Sequence, residues 1–244
     1  MTTNQIAAAH TNSAPIRIWD LPTRLFHMAF AISVIGAIVT VKLGGLWMDW
    51  HVRLGIISVA LLIFRIIWGL IGPRYARFSQ FIVHPLRTVR YLCSRRQANK
   101  SSLMHAGHNP LGAWAVIAML LIIGIQAITG LFANDDILTQ GPLAQFVSDS
   151  NSATMTGLHQ ANEPFVYAII ALHLLAIIFY AAKGQRLIPP MIHGDVPGNQ
   201  LAPDTPAARD DVGIRLRAGV LAALLGWGAW WLMQLAANAG GSFN

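Results

Sequence analysis

The chain holds one cysteine, Cys93. No disulfide can close within it, no CxxCH attachment of a covalently bound haem exists, and an iron–sulfur cluster would lack its thiolate ligands. Charge is almost as scarce: Asp, Glu, Lys and Arg make up 11% of the 244 residues, against about 25% in a soluble domain. Acidic side chains are the rarer sign, 10 against 17 Lys and Arg. The composition that fills this gap is apolar, 55% hydrophobic, with a mean hydropathy of +0.51. These values describe an integral membrane protein. The basic balance, with a pI near 10.3, reads as cytoplasmic loops of such a protein and not as a nucleic-acid-binding surface. Met1 to Ala14 has no basic stretch followed by an apolar core, and is expected to be a flexible tail and not a signal peptide.

Five apolar runs are expected to cross a bilayer, each near the roughly 20 residues a helix needs: Leu25 to Leu43, Trp50 to Ile71, Leu111 to Phe132, Leu158 to Ala182 and Ile214 to Leu235. Asp20-Leu21-Pro22 reads as a helix start, a capping carboxylate ahead of a first-turn proline. The fold class is all-α: a four-helix membrane bundle with an additional fifth transmembrane helix. The domain order is a tail at 1–14, a four-helix unit at 15–192, a cytoplasmic linker at 193–213 and the fifth helix at 214–236. Ile188 to Asp211 is rich in Pro, Gly and Asp without periodicity, and is expected to be irregular.

Loop charge gives the orientation. The connection between spans two and three carries Arg74, Arg77, Arg87, Arg90, Arg95, Arg96 and Lys100, and the one after span four carries Lys183, Arg186 and Arg209, with Arg215 and Arg217 beyond it. Asp135, Asp136, Asp149 and Glu163 mark the region between spans three and four, which has no Lys or Arg. The N-terminus is therefore expected in the cytoplasm and the C-terminus outside. Anionic membrane lipid is the natural partner of the basic face.

His159 and His173 stand fourteen residues apart in span four, about 21 Å of helix rise with a net rotation of about 40°. Two imidazoles on one face of a membrane helix are costly unless paired or ligating. With the expected orientation, His27 in span one lies at the cytoplasmic level of His173, and His51 in span two lies at the outer level of His159. Four histidines at two levels in an apolar bundle suit two b-type haems, each with two axial imidazoles. Bare metal ions suit less well, because no carboxylate or cysteine joins either level. Arg65 follows His51 by fourteen residues and reaches the His27 level. No Asp or Glu is expected in the spans to neutralise it, so it either meets a haem propionate or snorkels to the cytoplasmic interface. Lys42 and Arg53 flank the outer level, as propionate partners or interfacial anchors. His105 and His108 lie outside the paired levels and are candidates for a quinone site or proton handling. His10, His84 and His193 read as loop or structural residues.

The stretches Trp19-Asp20-Leu21-Pro22-Thr23-Arg24-Leu25-Phe26-His27, His51-Val52-Arg53-Leu54-Gly55, Phe64 through Phe78, and His108-Asn109-Pro110-Leu111-Gly112 resemble the bacterial cytochrome b561 family, in particular its branch shared with nickel-iron hydrogenase b-type subunits. The likeness covers about Pro15 to Ile192. It implies a di-haem protein of the bacterial cytoplasmic (inner) membrane, with axial ligands at His27, His51, His159 and His173, passing electrons between the quinone pool and a partner or small redox molecule. The fifth span and the proline-rich loop before it depart from the family's four-helix pattern.

Bis-histidine iron has no open position, so outer-sphere electron transfer is expected in place of oxygen activation. The preferred reading is a cytochrome joining quinone or quinol to a periplasmic redox partner such as a c-type cytochrome or a dehydrogenase. The alternative is a superoxide oxidase coupled to quinone reduction, which the acidic outer connection weakens because it repels an anion. A cofactor-free membrane anchor leaves four imidazoles and Arg65 without a purpose.

Overall fold

The computed structural model describes residues 14–82, 84, 86, 88, 90, 104–137 and 139–239. The expected tail falls outside them except for Ala14, as do Cys93, Arg87, Arg95, Arg96 and Lys100. In chain order the elements are β1 (Pro15–Arg17), α1 (Leu21–Leu43), α2 (Met48–Ile71), α3 (Phe78–Phe81), α4 (Pro110–Phe132), α5 (Asp149–Ala182), α6 (Ile188–His193), β2 (Asp195–Pro197) and α7 (Val212–Ala239). Among the described residues, five helices are long and apolar enough to cross a membrane: α1, α2, α4, α5 and α7.

The helix starts follow their caps. Asp20 accepts hydrogen bonds from the Thr23 amide at 2.9 Å and the Thr23 hydroxyl at 2.7 Å, and α1 begins at Leu21, at the helix start read from Asp20-Leu21-Pro22. The Asn109 carboxamide oxygen accepts from the Gly112 amide at 2.8 Å, with Pro110 at the first helical position of α4. The largest departure is α5, which starts at Asp149, well before the expected Leu158, and runs 34 residues. At 1.5 Å per residue it is about 51 Å long, more than a hydrocarbon core of about 30 Å can contain. Its polar opening turns give no membrane signal, yet the helix continues through them.

The described residues divide into two compact units. One comprises those within Met1–Arg24, Trp68–Val116 and His173–Leu216; the other those within Leu25–Ile67, Ile117–Leu172 and Arg217–Asn244.

In the first unit, β1 pairs antiparallel with β2, Ile16 opposite Val196. The 188–211 segment, expected to be irregular, thus contains both α6 and a strand. A three-residue strand is too short to show alternation, and its partner lies far away in sequence. Arg17 locks the ribbon. Its guanidinium donates to Asp195 at 2.6 and 3.1 Å and to Asp210 at 2.6 Å. Asp210 also accepts two bonds from Arg215, both 3.1 Å, and one from the Leu21 amide at 3.1 Å. The start of α1 is therefore capped by its own Asp20 and by an aspartate that precedes α7. Asp20, fully enclosed, additionally receives the Trp68 indole N–H at 3.1 Å. Around this clasp Ile18, Trp19, Tyr75, Val196, Leu201 and Ala208 form a buried apolar cluster. Gly194 closes it with a φ of +92°, where a Cβ would lie 2.6 Å from the Trp19 carbonyl oxygen.

In the second unit, α1 and α2 run antiparallel in a register fixed at several points. Phe26 stacks on Phe64 at 6.2 Å, Ser33 shares a 2.8 Å hydrogen bond with Ser58, and the His51 ring meets the Ala37 carbonyl at 2.9 Å. The fifth spanning helix belongs to this unit through Ala229, buried with Ile56 of α2 and Leu131 of α4.

The Arg17–Asp210–Arg215 clasp has a pH signature. Burial works to raise Asp210, yet hydrogen bonds from Arg215 and the Leu21 amide and the charges of Arg215 and Arg17 hold its carboxyl below the usual range. Its contribution to stability is present above the ordinary carboxylate pKa and is lost as pH falls through the lowered folded value. Asp210→Asn is expected to cost about 2 kcal/mol at neutral pH, read as a lower unfolding midpoint in detergent, with the gap to the parent protein closing in strong acid. A pH-independent gap would show that packing, and not the ion pairs, carries the effect.

Candidate functional site

Two of the four expected histidines meet directly. His51 of α2 and His159 of α5 have ring centroids 6.1 Å apart and ring planes at 85°. The Nδ1 of His51 lies 2.9 Å from the Ala37 carbonyl, and the Nδ1 of His159 lies 2.8 Å from the Gln126 carbonyl. A carbonyl oxygen only accepts, so in each ring Nδ1 carries the proton and Nε2 keeps its lone pair. For His159 a second contact agrees: the Gln126 carboxamide nitrogen points at Nε2 from 3.1 Å, a donor aimed at an acceptor. Imidazole ligands of metals are held in this way, by a carbonyl on the opposite nitrogen.

The separation fits the same use. Two metal–nitrogen bonds of about 2 Å, with half a ring on either side, place collinear imidazoles about 6 Å apart centre to centre. Among the described residues no group of three or more His, Cys, Asp or Glu could hold a metal ion. A protein-only tetrahedral site therefore has no ligand set there, whereas haem iron asks the chain for only two axial nitrogens.

His159 is placed by residues that the sequence reading passed over. Asn162, one turn along α5, donates to the Ile122 carbonyl and to the Gln126 carboxamide oxygen, both at 2.9 Å. Thr129 adds its hydroxyl 3.4 Å from Nδ1. Gly130 makes room, because a Cβ there would stand 2.9 Å from His159 Cε1. A signal was available: Gln126 and Asn162 are polar amides beside or within apolar runs, where such groups need a reason.

The residues expected at the inner level are distributed over the two units, His27 and Arg65 in the second and His173 in the first. His27 and His173 are both half-buried. The stacked Phe26 and Phe64, immediate sequence neighbours of His27 and Arg65, set those two residues at one level of the α1–α2 pair. Arg65 is only 4% exposed, enclosed by protein and not lying on a lipid-facing surface. In the first unit, Arg24 Nε and Arg77 Nε are enclosed with no hydrogen-bond partner among the described residues. Buried guanidinium nitrogens of this kind call for an anion, and a haem propionate is one.

The outer-level cations have neighbours of their own. Lys42 pairs with Glu163 at 2.6 Å, and Glu163 also accepts from the Tyr167 hydroxyl. Glu163 thus sits inside α5, correcting the expectation that the spans hold no carboxylate. Arg53 lies 5.5 Å from the Trp50 ring centre. Of the remaining histidines, His108 packs against Trp19 at 4.9 Å and Phe81 at 4.6 Å. With His105 it lines a cavity in the first unit. His84 and His193 are exposed, and His10 lies outside the described residues.

Membrane-crossing helices that bring two Nδ1-protonated imidazoles within 6.1 Å of one another fit the class of membrane haem proteins. The family described as prokaryotic cytochrome b561 matches residues 18–194, well over half of the chain, and the chain belongs to that family. It is a multi-pass b-type cytochrome of a bacterial membrane, a protein of electron transport. No curated protein and no solved structure matched the chain.

Gly130→Ala is expected to displace the His159 ring, with an overpacking cost of about 1–3 kcal/mol, and to change the reduced spectrum and the retention of haem. Gly124→Ala serves as the control, since a Cβ there meets nothing within 4 Å. Haem quantification and low-temperature difference spectra compare the two. Equal behaviour of both variants would mean that the Gly130 approach does not position the ligand.

Proposed function

We propose that the chain binds two b-type haems, an outer one on His51 and His159 and an inner one on His27 and His173. In this reading it carries electrons across the cytoplasmic membrane between the quinone pool and a periplasmic redox partner, a c-type cytochrome or a dehydrogenase. The observation that carries the reading is the His51–His159 pair with both Nδ1 protons given to backbone carbonyls. Haem held by these imidazoles would supply one-electron exchange at its iron.

The chain's own contribution is to hold, charge and insulate. Ala37 and Gln126 fix the outer tautomers through their carbonyls. The Ser33–Ser58 bond holds α1 and α2 at one mutual height, so that His27 keeps its level while His51 keeps its own. Arg65, enclosed and cationic, favours the less positive, reduced state of a group beside it. Arg24 and Arg77 offer enclosed N–H groups to propionate oxygens. The N-terminus is cytoplasmic and the C-terminus periplasmic on the loop charges.

The pairing is tested by four substitutions. His27→Ala and His173→Ala should abolish the same spectral component, and His51→Ala and His159→Ala the other. Loss of one component by both His27→Ala and His51→Ala would overturn the assignment. In the same redox titrations Arg65→Leu should lower the inner midpoint more than the outer; no change in either would remove Arg65 from the site.

The partner reading is tested by isolating the protein from its native membrane in mild detergent. Reduction of the haems by quinol and their reoxidation by a co-purified protein is the expected result. A protein that purifies alone and turns over superoxide rapidly with quinone would instead be the superoxide oxidase of the alternative. The Asp135 and Asp136 carboxylates, both exposed, favour the partner reading because they repel an anionic substrate and attract a basic docking face.

A further inference from the structure

The cavity holding His105 and His108 is not used by the haem reading. It measures about 150 Å³ and is lined by Arg74, Tyr75, Gln80, His105, His108 and Pro110 among others. The cationic and imidazole groups come from two separate stretches. Arg74 follows the end of α2, while His105 and His108 precede α4, whose first residue Pro110 forms part of the wall. No Asp or Glu lines it among the described residues. Arg74 and His105 are exposed and can be reached from outside, whereas His108 is held against Trp19 and Phe81, and the Tyr75 hydroxyl is spent on the Pro206 carbonyl at 2.7 Å.

We infer that this cavity is a binding site for a phosphate-bearing anion, the headgroup phosphate of an anionic phospholipid. Three independent features agree on the sign of the ligand. A guanidinium and two imidazoles converge without a carboxylate, the N-terminus of α4 presents its positive dipole end to the same wall, and the residues belong to the connections read as cytoplasmic, where anionic lipid is concentrated. The cavity, about 150 Å³, has room for a phosphate group. The leaflet in which the lipid would sit rests on the orientation proposed above; the recognition of phosphate does not.

The test uses the haem-loaded full chain in a neutral detergent. Native mass spectrometry and thermal unfolding are recorded with added phosphatidylglycerol, phosphatidylcholine, inorganic phosphate or a short-chain ubiquinone. Retention of one phosphatidylglycerol per protein, with a raised unfolding midpoint and little effect of phosphatidylcholine, is the expected result. Arg74→Gln should weaken that retention about fivefold, the effect of one surface cation on an anionic lipid, and Arg74→Gln/His105→Gln should weaken it further while the haem content and spectrum stay at the parent values. Competition by inorganic phosphate at millimolar concentration supports phosphate as the recognised group; protection by phosphate equal to that of the lipid would assign the site to a free anion and overturn the lipid source. Equal retention of both lipids by the parent and the double variant, or displacement by ubiquinone, would overturn the site itself. A reporter fused to the C-terminus tests orientation separately, so a cytoplasmic C-terminus with intact lipid selectivity would move the site to the other face without removing it.

Discussion

Hydrocarbon offers a polar side chain nothing to bond with, so each one carried into the spanning helices must be satisfied within the protein. In this chain that requirement sets how the helices meet. Ser33 bonds Ser58, His51 bonds the Ala37 carbonyl, Asn162 bonds Ile122 and Gln126, and Ser152 bonds the Phe132 carbonyl at 2.8 Å. Each is a bond between neighbouring helices, and each forbids a slide of one turn. The residue numbers joined across antiparallel α1 and α2 rise on one helix as they fall on the other, from Phe26 with Phe64 to Ala37 with His51. The histidine levels follow from this register, because a ring that must give its Nδ1 proton to one particular carbonyl cannot drift along the helix.

The same constraint decides which charges are tolerated. Lys42 and Glu163 neutralise one another near the end of α1, and the Tyr167 hydroxyl joins them. Arg65 is enclosed instead, and the enclosed nitrogens of Arg24 and Arg77 lack protein acceptors among the described residues. Breaking a buried pair leaves a costly lone charge. The supply of carboxylates is uneven: Glu163 serves Lys42, and Asp195 and Asp210 serve the α1 clasp, while Arg24 Nε and Arg77 Nε have no acceptor among the described residues.

The spanning helices were legible because long apolar runs leave few alternatives, and the histidines because imidazoles are conspicuous in such runs. Their ends were less so. Asp149 to Gly157 looks like loop by hydropathy, yet it continues α5, since helix formation needs only compatible backbone and a start near Ser148. The β1–β2 ribbon was hidden for a different reason: three residues show no period, and the bonds that hold it join Arg17 to Asp195 and Asp210 across most of the chain. Asp20 was readable as a cap from its neighbours, but not as the acceptor of the Trp68 indole. Gly130 illustrates the remaining limit. A glycine in an apolar helix has many explanations, and only the position of the His159 ring selects one.

The fifth helix can now be judged by what it touches. Its opening residue Arg215 bonds Asp210, part of the clasp that caps α1. Farther along, Ala229 is buried against Ile56 and Leu131, with Val52, Phe132 and Met233 packed around them. Val52 adjoins His51, and Leu131 adjoins the Gly130 that admits His159. Deleting the whole helix would therefore disturb the surroundings of His51 and His159 as well as the helix's exposed surface. Trp227, Trp230 and Trp231 are more than half exposed, apolar enough for lipid or for another membrane subunit, and Trp230 lines a cavity together with Ala229 and Met233.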